Sequence, residues 1–281
     1  MNVSLPLLKN KEQLSILFEN DDIIVINKPT GVSVTADRTG AADVLQLLNA
    51  QLQPFEPIRL VHRLDKETSG VMLLAKHRDA QSRYSRLFAK RLVPKLYLAI
   101  VNGPVISASG SIKDPIARSR RNPRAMHVHP RLGKPAQTLW RRLADFGGPT
   151  LVAAQPITGR THQIRIHFAH RGMPLTIDPM YGQTAPLMLS AYKPDYRGKS
   201  DRPESPLIDR LTLHAYQLAV PIGGDEGVAC DVFVALPDKK FLAAVKMLAK
   251  HAGPAGRGAA FDDPSDLDHI LAGRPLDFLN R

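Results

Sequence analysis

Val61-His62-Arg63-Leu64-Asp65-Lys66-Glu67-Thr68-Ser69-Gly70 leads directly into the apolar run Val71-Met72-Leu73-Leu74-Ala75. A short, unbroken apolar run behind a Ser-Gly turn reads as a strand buried on both faces. The residues before it read as a loop. Asp65 is therefore a carboxylate on a loop anchored by a rigid element, a good platform for chemistry. It lies in sequence between two cations, Arg63 and Lys66. A carboxylate beside cations stays ionised and available as a nucleophile or base. An ordinary ion pair has the same local pattern, so these residues by themselves leave both readings open.

The flanking sequence extends the pattern. Ile23 to Ile26 reads as a strand closed by the Pro29-Thr30-Gly31 turn. Asp43 to Gln53 has helical spacing at Val44, Leu47, Leu48 and Leu52. Asp79 to Arg91 reads as a helix with Ala80, Tyr84, Leu87 and Phe88 inward and Arg83, Arg86 and Lys90 outward. Leu96–Val101, Thr138–Leu143, Leu151–Ala154 and Arg165–Phe168 read as strands. Gln183 to Arg210 carries Pro186, Pro194, Pro203 and Pro206 and reads as a long loop. Phe241, Ala244, Val245 and Leu248 mark a helix ending before Gly253-Pro254. The expected fold class is α+β, with a mixed, mostly antiparallel sheet and flanking helices.

Composition narrows the function. The chain has 281 residues, 43% hydrophobic and 23% charged, in the range of a globular protein with a sizeable core. No stretch approaches the length of a membrane span, and residues 1–20 lack the unbroken apolar region of a signal peptide. A single cysteine, Cys230, forms no internal disulfide, which fits a cytoplasmic location. The net charge of +12 favours a polyanionic partner. No basic amphipathic helix suited to a membrane surface is apparent, so nucleic acid is the better reading. The charge is also localised: residues 113–142 hold nine Lys or Arg and one acid, Asp114. Arg118, Arg120, Arg121, Arg124 and Arg131 lie in a stretch that reads as loop or hairpin, able to track phosphates.

His62-Arg63-Leu64-Asp65 followed by Thr68-Ser69-Gly70 resembles the active-site motif of the RluA-type pseudouridine synthases, with Asp65 at the aspartate position. The resemblance continues in order. Asn27-Lys28-Pro29-Thr30-Gly31 is similar to the family's Asn-Lys-Pro-x-Gly turn, and Lys95-Leu96-Tyr97 to its Lys-x-Tyr motif. Gly133-Lys134-Pro135-Ala136-Gln137-Thr138 resembles Gly-Lys-x-Ala-x-Thr. Gly159-Arg160-Thr161-His162-Gln163-Ile164-Arg165 and Leu213-His214-Ala215 match later elements. The matches cover roughly residues 20 to 236.

The resemblance implies a bent sheet with a central active-site cleft, and an enzyme that isomerises uridines in structured RNA to pseudouridine. It implies a division into an N-terminal extension (1–20), a catalytic domain (21–250), and a linker and tail (251–281). It assigns the reacting carboxylate to Asp65, a base-stacking and proton-moving role to Tyr97, and the basic partner of the aspartate to Arg165. Arg63 would fill the gap left by a flipped base. His62, Leu64, Arg160, His162 and Gln163 are expected around the substrate, and Arg120, Arg121 and Arg124 on its backbone. The reaction adds no group and changes no redox state, so no cofactor or metal is expected. The expected partner is an rRNA or tRNA stem-loop, bound by a monomer without membrane attachment. A catalytically inactive RNA-binding protein of the same fold is the alternative.

Two further readings bear on this. His127, His129, His162, His167 and His170 invite a metal site, but no ligand motif accompanies them. With Arg165–Phe168 read as a strand, the five-residue spacing of His162 and His167 puts them on opposite faces. The chain also departs from the family pattern. Val34-Thr35-Ala36-Asp37 stands where an apolar-His-Pro sequence is common, and Ile177 precedes Asp178-Pro179-Met180-Tyr181-Gly182 where the family has glycine.

Overall fold

The apolar run behind Asp65 is a strand, and every residue of Ser69–Ala75 is buried. Gly70 enters it with φ of +118°, a backbone region closed to most side chains, which accounts for the Ser-Gly turn at this point. The structure is a computed structural model describing residues 13–103, 105–193, 195–197, 202–224, 226–227, 229–252 and 261–278. The N-terminal half runs β1 (Ser15–Glu19), β2 (Ile23–Lys28), α1 (Val44–Leu52), β3 (Arg59–Leu60), β4 (Ser69–Ala75), α2 (Arg78–Ala89) and β5 (Lys95–Asn102). Next come β6 (Ser109–Ile112), β7 (Ile116–Arg118), β8 (Met126–Val128), β9 (Thr138–Asp145), β10 (Pro149–Pro156) and α3 (Gln163–His170). The last elements are β11 (Leu213–Pro221), β12 (Cys230–Val234), α4 (Lys239–His251) and α5 (Pro264–Ala272). The fold is α+β, and the strand registers among the described residues are antiparallel.

Two compact units divide the chain, residues 1–94 with 217–235 and residues 95–216 with 236–281. In the first, β2 lies between β1 and β4, and β3 also pairs with β4. Residues 23–26 of β2 are all buried, as the β-branched run requires. Helix α1 begins with a capping box in which Asp43 and Gln46 satisfy each other's backbone N–H groups. Helix α2 turns Ala80, Tyr84 and Leu87 inward. Two of the three basic residues expected on its outer face are paired, Arg83 with Asp22 and Lys90 with Glu226, while Arg86 is exposed.

In the second unit β10 lies between β5 and β9, with β6 on the far side of β9. Every residue of β10 is buried. Residues 165–168, expected as a strand, belong instead to helix α3. Ile164, Ile166 and Phe168 alternate with polar residues and so mimic a half-buried strand. The intervening Gln163, Arg165 and His167 are also buried, each with internal polar partners, so the helix has no solvent face to betray its period. Within the long loop expected from 183 to 210, a bridge joins Leu187 to Ile208 and a single 3-10 turn spans Leu189–Ala191.

Residues 253–260 of the expected linker, 252–260, lie outside the described residues, as do residues 1–12 of the expected N-terminal extension. The segment beyond it is no loose tail. Asp263 caps α5, Pro264 opens it and Gly273 closes it at φ of +64°. Ile270 is fully buried, and Tyr216 donates its hydroxyl to the carbonyls of His269 and Arg274. Asp266 meets Arg141 of β9 in a two-pronged pair at 2.6 and 3.3 Å, both side chains nearly buried. Removing one member of such a pair strands the other charge. Asp266→Ala should therefore cost about 3–5 kcal/mol of stability, read as a shift in the urea midpoint; a loss below about 1 kcal/mol would mean that Arg141 finds water instead.

Candidate active site

The loop carrying Asp65 is held from below by a buried lysine. Lys28, at the end of β2, has 0% exposure. Its ammonium donates to the carbonyls of Pro29 at 2.8 Å, Val32 at 2.8 Å and Lys66 at 3.0 Å. Burying an ammonium is tolerated only when its protons are matched, and these carbonyls supply the match. Two more bonds join the same loops: Gly31 N–H to the Lys66 carbonyl and the Thr30 hydroxyl to the Glu67 carbonyl. Thr68 N–H closes the turn onto the Asp65 carbonyl. The Asn-Lys-Pro-x-Gly turn is thus the seat of the aspartate loop, a role that its sequence alone did not assign to Lys28.

Lys66, next to Asp65 in sequence, pairs with a different carboxylate. Its ammonium lies 2.7 Å from the carboxylate of Asp37. That carboxylate also accepts from Ser33 and Thr39. The bonds from Lys66, Ser33 and Thr39 hold its pKa well below the usual carboxylate range. Asp37 lies in the segment that departs from the family pattern, so the departure has a structural use: it ties residues 33–39 to the Asp65 loop.

The residues before Asp65 split by environment. Arg63 is exposed and Asp65 half-buried. Leu64 is 4% exposed, so its side chain packs inside. His62 stacks on Phe88 with ring centroids 4.3 Å apart, and its Nε2 accepts the Leu73 N–H at 3.0 Å. The ring is thereby tied to β4 and helps fix the loop.

In the second unit, Tyr97 stands on β5 opposite Ala154 of β10 and is half-buried. Its ring packs against a cluster that includes Ile164, Phe168 and Leu213. Two residues earlier, burial lowers the pKa of the Lys95 ammonium. Helix α3 begins at His162, whose φ of +55° turns the chain sharply. Arg165 gives two N–H groups to Asp178, both at 2.8 Å, and its guanidinium lies 5.2 Å from the Tyr181 ring centre. Asp178 is fully buried and also accepts the N–H groups of Met180 and Tyr181. Tyr181 in turn accepts the Met126 N–H at 2.8 Å and shares a 2.8 Å bond with His162 Nδ1. Asp178 and Tyr181 were visible in sequence as a motif without a role; they orient Arg165 and His162.

Gln163, expected at the substrate, is an internal staple. It donates to the Gln137 carbonyl and the Thr138 hydroxyl, and accepts from the Thr158 hydroxyl and Arg160 N–H. At 4% exposure it shapes the turn from inside. Arg160 donates its Nε–H to the Pro135 carbonyl.

The family described as RNA pseudouridylate synthase matches residues 22–170. The chain belongs to this family. Ribosomal large subunit pseudouridine synthase D of Escherichia coli (strain K12) is 39% identical over 223 residues, 76% of this chain and 65% of that protein. Ribosomal large subunit pseudouridine synthase C of Vibrio cholerae serotype O1 is 36% identical over 203 residues, 71% of this chain and 59% of that protein. Among solved structures, human RNA pseudouridylate synthase domain containing 1 aligns with a TM-score of 0.66 at 26% identity, covering 95% of this chain and 98% of that one. The chain spans 52% to 65% of the length of curated relatives that it matches.

As a pseudouridylate synthase family member the chain carries its remaining histidines and arginines in distinct settings. His167 is fully buried between the Thr138 hydroxyl and the Asp114 carbonyl, each 2.9 Å away. Burial pushes its pKa below the ordinary imidazole value. It lies on helix α3, which begins at His162, so the opposite-face argument for His162 and His167 falls with the strand itself. Among the described residues no group of three or more His, Cys, Asp or Glu is placed to hold a metal, and no helix is long and apolar enough to cross a membrane. Arg120, Arg121 and Arg124 are exposed on the connection of the β7–β8 hairpin.

The Lys28 seat gives a direct expectation. Lys28→Met keeps the bulk but leaves three carbonyls without their donor, which should cost about 2–4 kcal/mol. The loss should be concentrated in the Asp65 loop, so amide exchange at Gly31 and Thr68 should accelerate more than that of the β4 amides. Equal acceleration throughout the unit would show that Lys28 stabilises the unit globally without a special hold on the loop.

Proposed function

We propose that this chain converts uridine to pseudouridine in RNA, with Asp65 as the reacting carboxylate and large-subunit ribosomal RNA as the substrate class. The observation that carries the reading is the seating of Asp65: a half-buried carboxylate on a turn fixed through Lys28, inside the motif that marks the family. The names of its ribosomal relatives support the choice of rRNA. A tRNA stem-loop is a second candidate substrate because the same chemistry applies to any accessible uridine.

The proposed reaction breaks the N1–C1′ glycosidic bond and forms a C5–C1′ bond in its place. The C5 proton leaves and N1 gains a proton, so atoms and electrons balance without an external reagent. Asp65 either attacks the sugar or assists elimination from it. Tyr97 supplies a ring for the freed base and a phenol to take the C5 proton. Arg165 supplies a positive charge for the reacting carboxylate, its guanidinium plane fixed by Asp178. An inactive RNA-binding protein is the weaker alternative, since Asp65, Tyr97 and Arg165 are all present.

Asp65→Asn preserves shape but removes the nucleophile or base. The purified variant should bind RNA as before and form no pseudouridine in ribosomal RNA from cells lacking the chain. Clear residual product would sink the assignment of Asp65.

The exposed arginines of the β7–β8 hairpin are proposed to grip RNA backbone. Phosphate contacts position a substrate without reading its sequence. Replacing Arg120, Arg121 and Arg124 together with alanine should weaken binding to many RNAs. It should also flatten the log–log dependence of affinity on salt by about 0.7–0.9 for each phosphate that is no longer neutralised. Turnover at saturating RNA should fall less than affinity. An unchanged salt slope would place the hairpin away from RNA.

A further inference from the structure

The β7–β8 hairpin encloses a feature that a phosphate-tracking loop does not require. A concavity of about 480 Å³ opens between the hairpin and the turn that follows it. Arg118, Arg120 and Arg121 line it together with His127, His129 and Leu132. The volume is in the range of small-molecule sites and exceeds what a phosphate needs.

Its lining mixes cations with rings and an apolar side chain. The His127 and His129 rings meet edge to face, 5.6 Å between centroids at 67°. His129 Nδ1 accepts from the Arg131 and Leu132 N–H groups, which leaves its proton on Nε2 in the neutral ring. His127 Nδ1 is withdrawn from solvent and has no hydrogen-bond partner among the described residues. Leu132 is 64% exposed beside the rings.

The turn bearing Leu132 is preformed. A Cβ on Gly133 would lie 2.5 Å from the His129 carbonyl oxygen and 2.6 Å from the backbone of Pro115. No side chain fits there, and the turn closes through Gly133 N–H to the same carbonyl. On the other side, Arg118 donates its Nε–H to the Pro123 carbonyl at 3.0 Å and stiffens the hairpin loop.

We propose that this concavity is a subsite for one unstacked nucleotide of the bound RNA. The base would stack on the imidazoles and Leu132, while Arg120 and Arg121 hold the adjoining phosphates. Stacking on a side-chain platform tolerates any base, because every base has a π-face. Arginine beside the ring adds cation–π attraction. The inference rests on the RNA-binding part of the proposed function but not on the chemistry at Asp65.

Heptacytidylate and an abasic tetrahydrofuran heptamer of equal charge separate base binding from phosphate tracking, and neither contains a uridine to turn over. The full chain should bind heptacytidylate at least about fivefold more tightly than the abasic heptamer. His127→Ala and Leu132→Ser should each reduce that preference, while His127→Phe, which keeps a ring, should retain it. Asp65→Asn should leave it unchanged, so failure of the catalytic reading is scored separately by the pseudouridine assay. Equal binding of the two heptamers by the native chain would overturn the subsite and leave phosphate tracking only. A preference undiminished in both His127→Ala and Leu132→Ser would place base binding elsewhere and overturn it too. If His127→Ala fails to fold, the exposed Leu132→Ser variant decides.

Discussion

The ammonium of Lys28 has no exposure to water, and three backbone carbonyls answer it. Two of those carbonyls lie in the turn that follows Lys28, and the third is that of Lys66, next to Asp65. A buried charge is costly unless its partners hold their places, so the arrangement constrains both loops. Gly31 and Thr30 add bonds to residues 66 and 67, and Asp37 pins the Lys66 side chain. The backbone on either side of Asp65 is therefore fixed before any substrate arrives. Catalytic groups gain from being held in position in advance, because less reorganisation is left for the reaction itself.

Much of the fold was legible because the hydrophobic periods were clean. Ile23–Ile26 and Val71–Ala75 are unbroken apolar runs and became buried strands. Asp43–Gln53 and Asp79–Arg91 carry amphipathic helical spacing and became α1 and α2. The failure at residues 165–168 has a definite cause. Period-based reading assumes that polar residues face water, whereas Gln163, Arg165 and His167 are buried polar groups satisfied from within. Nothing in the local string announces those partners, because Thr138, Gln137 and Asp178 lie 13 to 29 residues away. The same limit applied to Lys66: its pairing with Asp37 spans 29 residues. Motif resemblance marked the family, but it did not distinguish side chains that face outward, such as Arg63, from internal staples such as Gln163.

Net charge also resolves into places. The sequence supplies an excess of 12 positive charges, but not all of them are available to a polyanion. Arg83 and Lys90 of α2 are matched by Asp22 and Glu226, and Arg141 by Asp266. Arg171 of the α3 end is matched by Asp114. The hairpin arginines Arg120, Arg121 and Arg124 are exposed, and no acid lies between Arg118 and Arg131 in the sequence. Surface pairs contribute little to stability, but each one reduces the local field that a phosphate would feel. The pattern of pairing thus makes the hairpin, over the α2 face, the surface proposed for a polyanion.

That hairpin is also mechanically joined to the element that orients Arg165. Asp178 fixes the Arg165 guanidinium through two N–H groups and caps the backbone of Tyr181. The hydroxyl of Tyr181 then meets both His162, where α3 begins, and the backbone of Met126 in β8. Residues from different segments therefore share one polar chain. Such a chain transmits position well, because displacing one member leaves another unsatisfied in a low-dielectric setting. An RNA held by the hairpin would thus be registered against α3 through bonds, not merely through proximity. Ile177, standing where the family has glycine, is 2% exposed just before Asp178 and packs the start of this chain into the core. A side chain that anchors by burial replaces the freedom a glycine would bring, and it fixes the backbone from which the Asp178 carboxylate reaches Arg165.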